Sequence, residues 1–228
     1  MLRTARYWAA AIALFAALGT ARADTYYVIV FGAESKPPRP KYSHSWAVFV
    51  HFPGCGPCGP PAPDAGPPEW FTISWLPCKV EMTVNTPCAE PGRNFDLPTT
   101  FDIALSQWEH VTAFGPYQIE PELYCRALKQ KQRLESGEVR YKTIDWFRDP
   151  HRVSNCIHAL TSFNPENRRV RIGRTNFGDT ASYWITVSYT DWIICTKRVH
   201  CWVADVLGLG QYPIQWKTLE EGPPPLFR

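Results

Sequence analysis

The chain contains no apolar run long enough to cross a membrane as a helix, which takes about 20 residues. Its most apolar stretch, WAAAIALFAAL at residues 8–18, stops at eleven. Several catalytic signatures are missing as well. No G-x-S-x-G occurs, which sets aside the nucleophile elbow of serine hydrolases. No G-x-x-x-x-G-K occurs, so there is no P-loop for a nucleotide, and no H-E-x-x-H, so there is no zincin site. Internal repeats and coiled-coil heptads are absent too.

A basic surplus is also missing once the N-terminus is taken apart. Arg3 and Arg6 precede the short apolar run, and Ala21-Arg22-Ala23 follows it as an A-x-A cleavage site. These are the three parts of a secretory signal peptide, residues 1–23. No cysteine follows the run, which argues against a lipoprotein. Removing Arg3, Arg6 and Arg22 takes Lys+Arg from 24 to 21, against 21 Asp+Glu. A neutral chain has no surface with which to neutralise phosphates, so nucleic acid is not an expected partner. One local run, Arg168, Arg169, Arg171 and Arg174, reads as a solvated loop. The expected product is a secreted or periplasmic protein of residues 24–228, without stable membrane insertion and large enough for one domain with a sizeable core.

What the sequence does have is cysteine. All eight follow residue 23, as suits an oxidising compartment where disulfides persist. Sequence proximity suggests local bridges 55–58, 78–88 and 195–201, which would leave Cys125 and Cys156.

The elements expected are strands at TYYVIVFGAES, HSWAVFVHF and EWFTISWL, with helices at PTTFDIALSQW, EPELYCRALKQKQRLESG and SNCIHALTSF. Thr99 or Thr100 is the expected cap of the first helix. Pro121 and Gly137 bracket the second, and Asn155 or Ser154 caps the third. EVRYKTIDWF reads as a return to strand, NTPCAEPGRNFDLP as irregular, and part of the last third as helix. The fold class is therefore α+β, an antiparallel sheet packed against helices, with a Pro/Gly-rich hairpin insertion near residues 53–69.

That insertion carries CGPC, Cys55 to Cys58. In thioredoxin-type sites the first cysteine opens a helix, whose N–H groups and dipole stabilise the thiolate. Here GPPAPDAGPP follows, and five prolines in ten residues forbid that helix. A zinc site would need a second, well-spaced ligand pair. No metal and no cofactor is expected.

Chemistry is better sought at Cys156. It falls at the start of the helix in RVSNCIHAL, a placement that favours the reactive thiolate. A nucleophilic cysteine needs a base in hydrogen-bond reach and a third group to orient that base. His44 opens a strand on which it shares a face with Trp46, Val48 and Val50. His158 lies two residues beyond Cys156, on another side of the helix, and is the poorer base.

A histidine on a strand, a polar residue on the next strand, then a cysteine at a later helix start resembles the circularly permuted papain-like hydrolases. These include NlpC-type cell-wall peptidases and lecithin–retinol acyltransferase-like proteins. The resemblance spans residues 26–163. It implies a permuted papain-like fold and thioester chemistry on an amide or ester. Cys156 would attack the carbonyl, His44 would carry the proton, and helix-start N–H groups would hold the oxyanion. A peptide or acyl group, such as a cell-wall peptide, would be the substrate. The third polar residue would be Thr72, Ser74 or Glu69.

The competing expectation is a secreted, disulfide-stabilised binding module without catalysis. In it Cys156 pairs with Cys125 or is an inert buried thiol. Its binding surface would draw on Trp46, Trp70 and Trp75, although large aromatics on strands more commonly fill the core.

Overall fold

The computed structural model describes residues 23–37, 39, 43–54, 66–83, 88–107, 110–145, 152–164, 170 and 178–224. The signal segment, the CGPC tip and the arginine run therefore fall outside the described residues, apart from Ala23 at the end of the signal segment.

Strand β1 (Thr25–Glu34) is mostly apolar and buried on both faces, as befits the centre of a sheet. It pairs antiparallel with β2 (Ser43–Phe52) over ten residues, from Thr25 opposite Phe52 to Glu34 opposite Ser43. β2 in turn pairs antiparallel with β3 (Glu69–Ile73), so residues 53–68 join neighbouring antiparallel strands. On the other side of β1 lies β6 (His110–Ile119), antiparallel, and beyond it β9 (Ile214–Lys217), parallel to β6. The sheet order is β3-β2-β1-β6-β9.

EWFTISWL is not one strand. It breaks at Ser74, and β4 (Trp75–Pro77) leaves for a second sheet of order β4-β5-β7-β8. This sheet contains β5 (Glu90–Asn94), within the stretch expected to be irregular, β7 (Arg140–Tyr141) and β8 (Val153–Ser154). It is antiparallel except where β7 meets β8. The architecture is α+β, with two mixed, mostly antiparallel sheets and five α-helices among the described residues.

The helices are α1 (Leu97–Gln107), α2 (Pro121–Glu135), α3 (Cys156–Thr161), α4 (Gly178–Ser188) and α5 (Trp202–Val206). None is long and apolar enough to cross a membrane. Asp96, rather than Thr99 or Thr100, caps α1. Its Oδ1 accepts the Thr99 N–H at 2.8 Å, because the helix starts at Leu97, three or four residues ahead of the start that a Thr99 or Thr100 cap would set. α2 begins at Pro121, and Gly137 follows it at φ +84°, where only glycine is unstrained.

Pairing and alternation define the two faces of the main sheet. Phe31 and Trp46 stack at 5.2 Å, and Phe101 of α1 meets both edge-on. On the opposite face Phe49 meets Phe163 and Tyr189, which follow α3 and α4. α4 rides unusually close to β1. A Cβ on Gly178 would stand 2.1 Å from the Ala33 carbonyl oxygen, and one on Gly32 would stand 2.3 Å from that of Gly178. Ser182 Oγ seals this approach by donating to the Phe31 carbonyl at 2.6 Å.

Candidate functional site

The break at Ser74 shapes the site. Where β3 gives way to β4, the Asn94 side chain replaces the missing ladder. Its Oδ1 accepts the Ser74 N–H at 2.8 Å and its Nδ2 donates to the Thr72 carbonyl at 2.9 Å. Nδ2 also reaches Glu135 of α2 at 2.9 Å. Gripped in this way, Ser74 turns its hydroxyl to Nε2 of His44 at 3.0 Å, wholly buried. Thr72 lies opposite Val48, further along the ladder, and Glu69 contacts His51 at 3.3 Å at the far end of β2. Of the three polar residues considered, Ser74 is the one that meets His44.

His44 is held from below as well, its ring stacked on Trp46 at 5.5 Å and 16°. Burial pushes its imidazole down to about 3.

Cys156 approaches from α3. Asn155 is the helix cap, with Oδ1 accepting the His158 N–H at 2.8 Å, as expected from its place in the sequence. The thiol is 8% exposed and lies against the backbone N–H of Ser45, the residue after His44. Cys156 thus lies against the backbone of the residue that follows His44 on β2, although the two are more than a hundred residues apart in sequence. The expected thiolate, however, is reversed in the resting site. Burial pushes the Cys156 thiol up to about 11, outweighing the N–H groups of Ser45, Ile157 and Cys156 that pull it down. Asp145 adds to the rise. A six-residue helix start in a dry setting does not compensate the lost hydration of a thiolate.

His158 faces elsewhere. Its Nδ1 sits 2.7 Å from the Asp145 carboxylate, both groups buried. Tyr141, at the end of β7, is a buried neighbour that sequence reasoning missed. Burial drives its phenol well above the usual range, Cys156 pushes it further up, and the Thr143 side chain offsets part by hydrogen bonding. Its only signal in the sequence is a tyrosine in a short polar segment.

The pairing of Cys156 with Cys125 does not fit the geometry. Cys125 is exposed and lies near Tyr26, opposite His51, whereas Cys156 lies at Ser45, opposite Gly32. Six strand residues separate those positions, about 20 Å at 3.3 Å each. A bridge tolerates less than about 7 Å between Cα atoms. The other described cysteines, Cys78, Cys88, Cys195 and Cys201, are exposed thiols. Of the tryptophans considered as a platform, Trp46 and Trp75 are core, and Trp70 alone stands out at 44% exposure. Trp75 donates through Nε1 to the Ser154 carbonyl at 3.2 Å, tying β4 to the strand before α3.

Among the described residues no group of three or more His, Cys, Asp or Glu side chains is placed to hold a metal ion. No protein-family model matches the chain, and neither curated proteins nor solved structures yield a significant match.

Proposed function

We propose that the protein is an exported thiol hydrolase or acyltransferase that works through a thioester on Cys156, in the manner of the permuted papain-like hydrolases. The observation that carries this reading is the buried Ser74–His44 hydrogen bond, with the Cys156 thiol against the backbone N–H of the next residue, Ser45.

In the tautomer whose Nε2–H donates to Ser74 Oγ, Nδ1 carries the lone pair of the neutral ring and serves as the base. The resting pair is thiol and neutral imidazole, so the nucleophile forms only as substrate arrives and His44 takes the proton. The thiolate then attacks an ester or amide carbonyl and the imidazolium returns the proton to the leaving group. The remaining thioester passes to water or to an acceptor alcohol or amine. Backbone N–H groups around Cys156 are the donors available to the oxyanion. A peptide amide, including one from the cell wall, suits an exported enzyme of this kind.

The test is to incubate the mature protein with p-nitrophenyl esters and acyl-peptide amides, then weigh the intact protein. An added acyl mass that maps to Cys156, is lost in Cys156→Ala and no longer accumulates in His44→Ala supports the reading. Acylation elsewhere, or turnover unchanged in Cys156→Ala, refutes it.

A further inference from the structure

Asp145 belongs to no strand or helix, yet it is only 2% exposed. Its carboxylate takes two bonds from the residue before Cys156. Oδ2 accepts the Asn155 N–H at 3.2 Å, and Oδ1 accepts Asn155 Nδ2, also at 3.2 Å. The same carboxylate meets His158 Nδ1, two residues after Cys156, at 2.7 and 2.8 Å. Asn155 Oδ1 completes the circuit by accepting the His158 N–H. Asn155 Nδ2 also donates to the Thr143 carbonyl at 3.3 Å, so the segment after β7 is fastened along its length.

This arrangement is more than α3 needs to exist as a buried turn. Six residues form too few internal bonds to hold their own angle, so tertiary contacts decide it. Apolar contacts would do so more cheaply, since well-packed hydrophobic replacements of buried polar clusters are commonly neutral or stabilising. What a carboxylate adds is direction. It grips the residues on both sides of Cys156 and so fixes the rotation of the first turn.

We propose that Asp145 is a positioning residue that sets the angle at which Cys156 meets His44 and the substrate carbonyl; this rests on Cys156 being the nucleophile. Attack requires the reacting atoms within about 3–3.5 Å, and a misplacement of about 1 Å can cost a hundredfold in rate. The expected signature is loss in the chemical step with substrate binding preserved.

The experiment uses the mature protein and the acyl donor that labels wild-type Cys156. Asp145→Asn keeps the side-chain volume and removes the charge. It is expected to lower kcat by about 10- to 100-fold with KM within about twofold. Hydrogen exchange of the amides at residues 155–158 is expected to quicken while the core strands keep their protection. Asp145→Asn combined with His158→Gln restores a neutral hydrogen-bonded pair and is expected to recover part of kcat. Unchanged kcat in Asp145→Asn overturns the role. So does a loss that merely follows the folded fraction and is not recovered in the double variant. Should wild-type Cys156 accept no acyl group, the nucleophile reading fails first and this role falls with it. If the wild type is acylated, a negative result on Asp145 leaves that reading standing.

Discussion

Asn94→Ala is the sharpest test of how the site is built, because it needs no substrate. The substitution deletes the acceptor for the Ser74 N–H, one donor to the Thr72 carbonyl and the link to Glu135. Ser74 is fully buried, so its N–H would be orphaned, at a cost of about 1–3 kcal/mol. The Thr72 carbonyl loses a partner worth about 0.5–1.5 kcal/mol. The Glu135 bond is exposed and contributes little. The expected destabilisation is about 2–4 kcal/mol, a fall in Tm of roughly 5–12 °C for a domain of this size. Urea unfolding with an unchanged m-value measures it directly. Ser74→Ala removes only the hydroxyl and leaves the backbone grip intact. The two changes act on one hydrogen-bonded unit, so the double variant should lose less than the sum of the singles. A loss under 1 kcal/mol in Asn94→Ala, or strict additivity with Ser74→Ala, would refute the view that Asn94 holds the strand break and through it His44.

His44 should make the fold sensitive to acid. Its folded-state value of about 3 lies below the ordinary 6.5, so the unfolded ring binds its proton first as pH falls. Stability from this group is full above about pH 6.5 and drains between there and pH 3, by at most about 5 kcal/mol. His44→Gln should flatten that window in an unfolding series, leaving the loss from the lowered carboxyl of Asp179; an unaltered acid limb would count against it. Cys156 in the resting protein should carry roughly 300-fold less thiolate near pH 7.5 than a reference thiol of about 8.5. Its alkylation should therefore climb about tenfold per pH unit up to pH 10, and a plateau at or below pH 8 would contradict the dry site. Gly178→Ala drives a Cβ into the Ala33 carbonyl and should cost at least about 1–3 kcal/mol by chemical denaturation; a neutral result would mean that α4 can lift off β1. In oxidatively folded protein, peptide mapping without reductant should find Cys78 with Cys88 and Cys195 with Cys201, and never Cys125 with Cys156.

The parts of the fold that could be read from sequence are those whose signals are local. β1 and β2 declare themselves by apolar runs rich in β-branched and aromatic residues, YYVIVF and WAVFV, and α2 by Pro121 and Gly137. β6 was missed although it flanks the central strand, because the Gly115-Pro116 pair reads as a break. The sheet absorbs it as a register shift near Val28 and Val30, with Gly115 at φ +105°. β9 has only four residues and finds its partner in parallel, so nothing nearby marks it. At the site, the Asn155 cap was legible because helix starts obey short-range rules, and the same rules nominate Cys156 and His44 as candidates. Choosing Ser74 over Thr72 and Glu69 required the strand break that Asn94 enforces from twenty residues away. Asp145 and Tyr141 were hardly legible, since their contacts around Cys156 and Asn155 form only when β7 and α3 are brought together. The thiol's protonation state was misjudged for a related reason: helix position is written in the sequence, whereas the depth of burial is not.

The closeness of α4 to β1 has a consequence for how the chain matures. Ser182 bonds Phe31 across 151 positions, and β9 joins β6 later still. A chain released from its N-terminal end first must hold the β1–β2 hairpin open, with one flank of β1 bare, until β6 follows. The glycine seam on the hairpin's other side stays wet until α4 arrives. Such long-range closure folds slowly and leaves a bare strand edge exposed to other chains meanwhile. Folding of this chain is therefore expected to be slow, with the flank of the hairpin left uncovered until its last neighbours in sequence arrive.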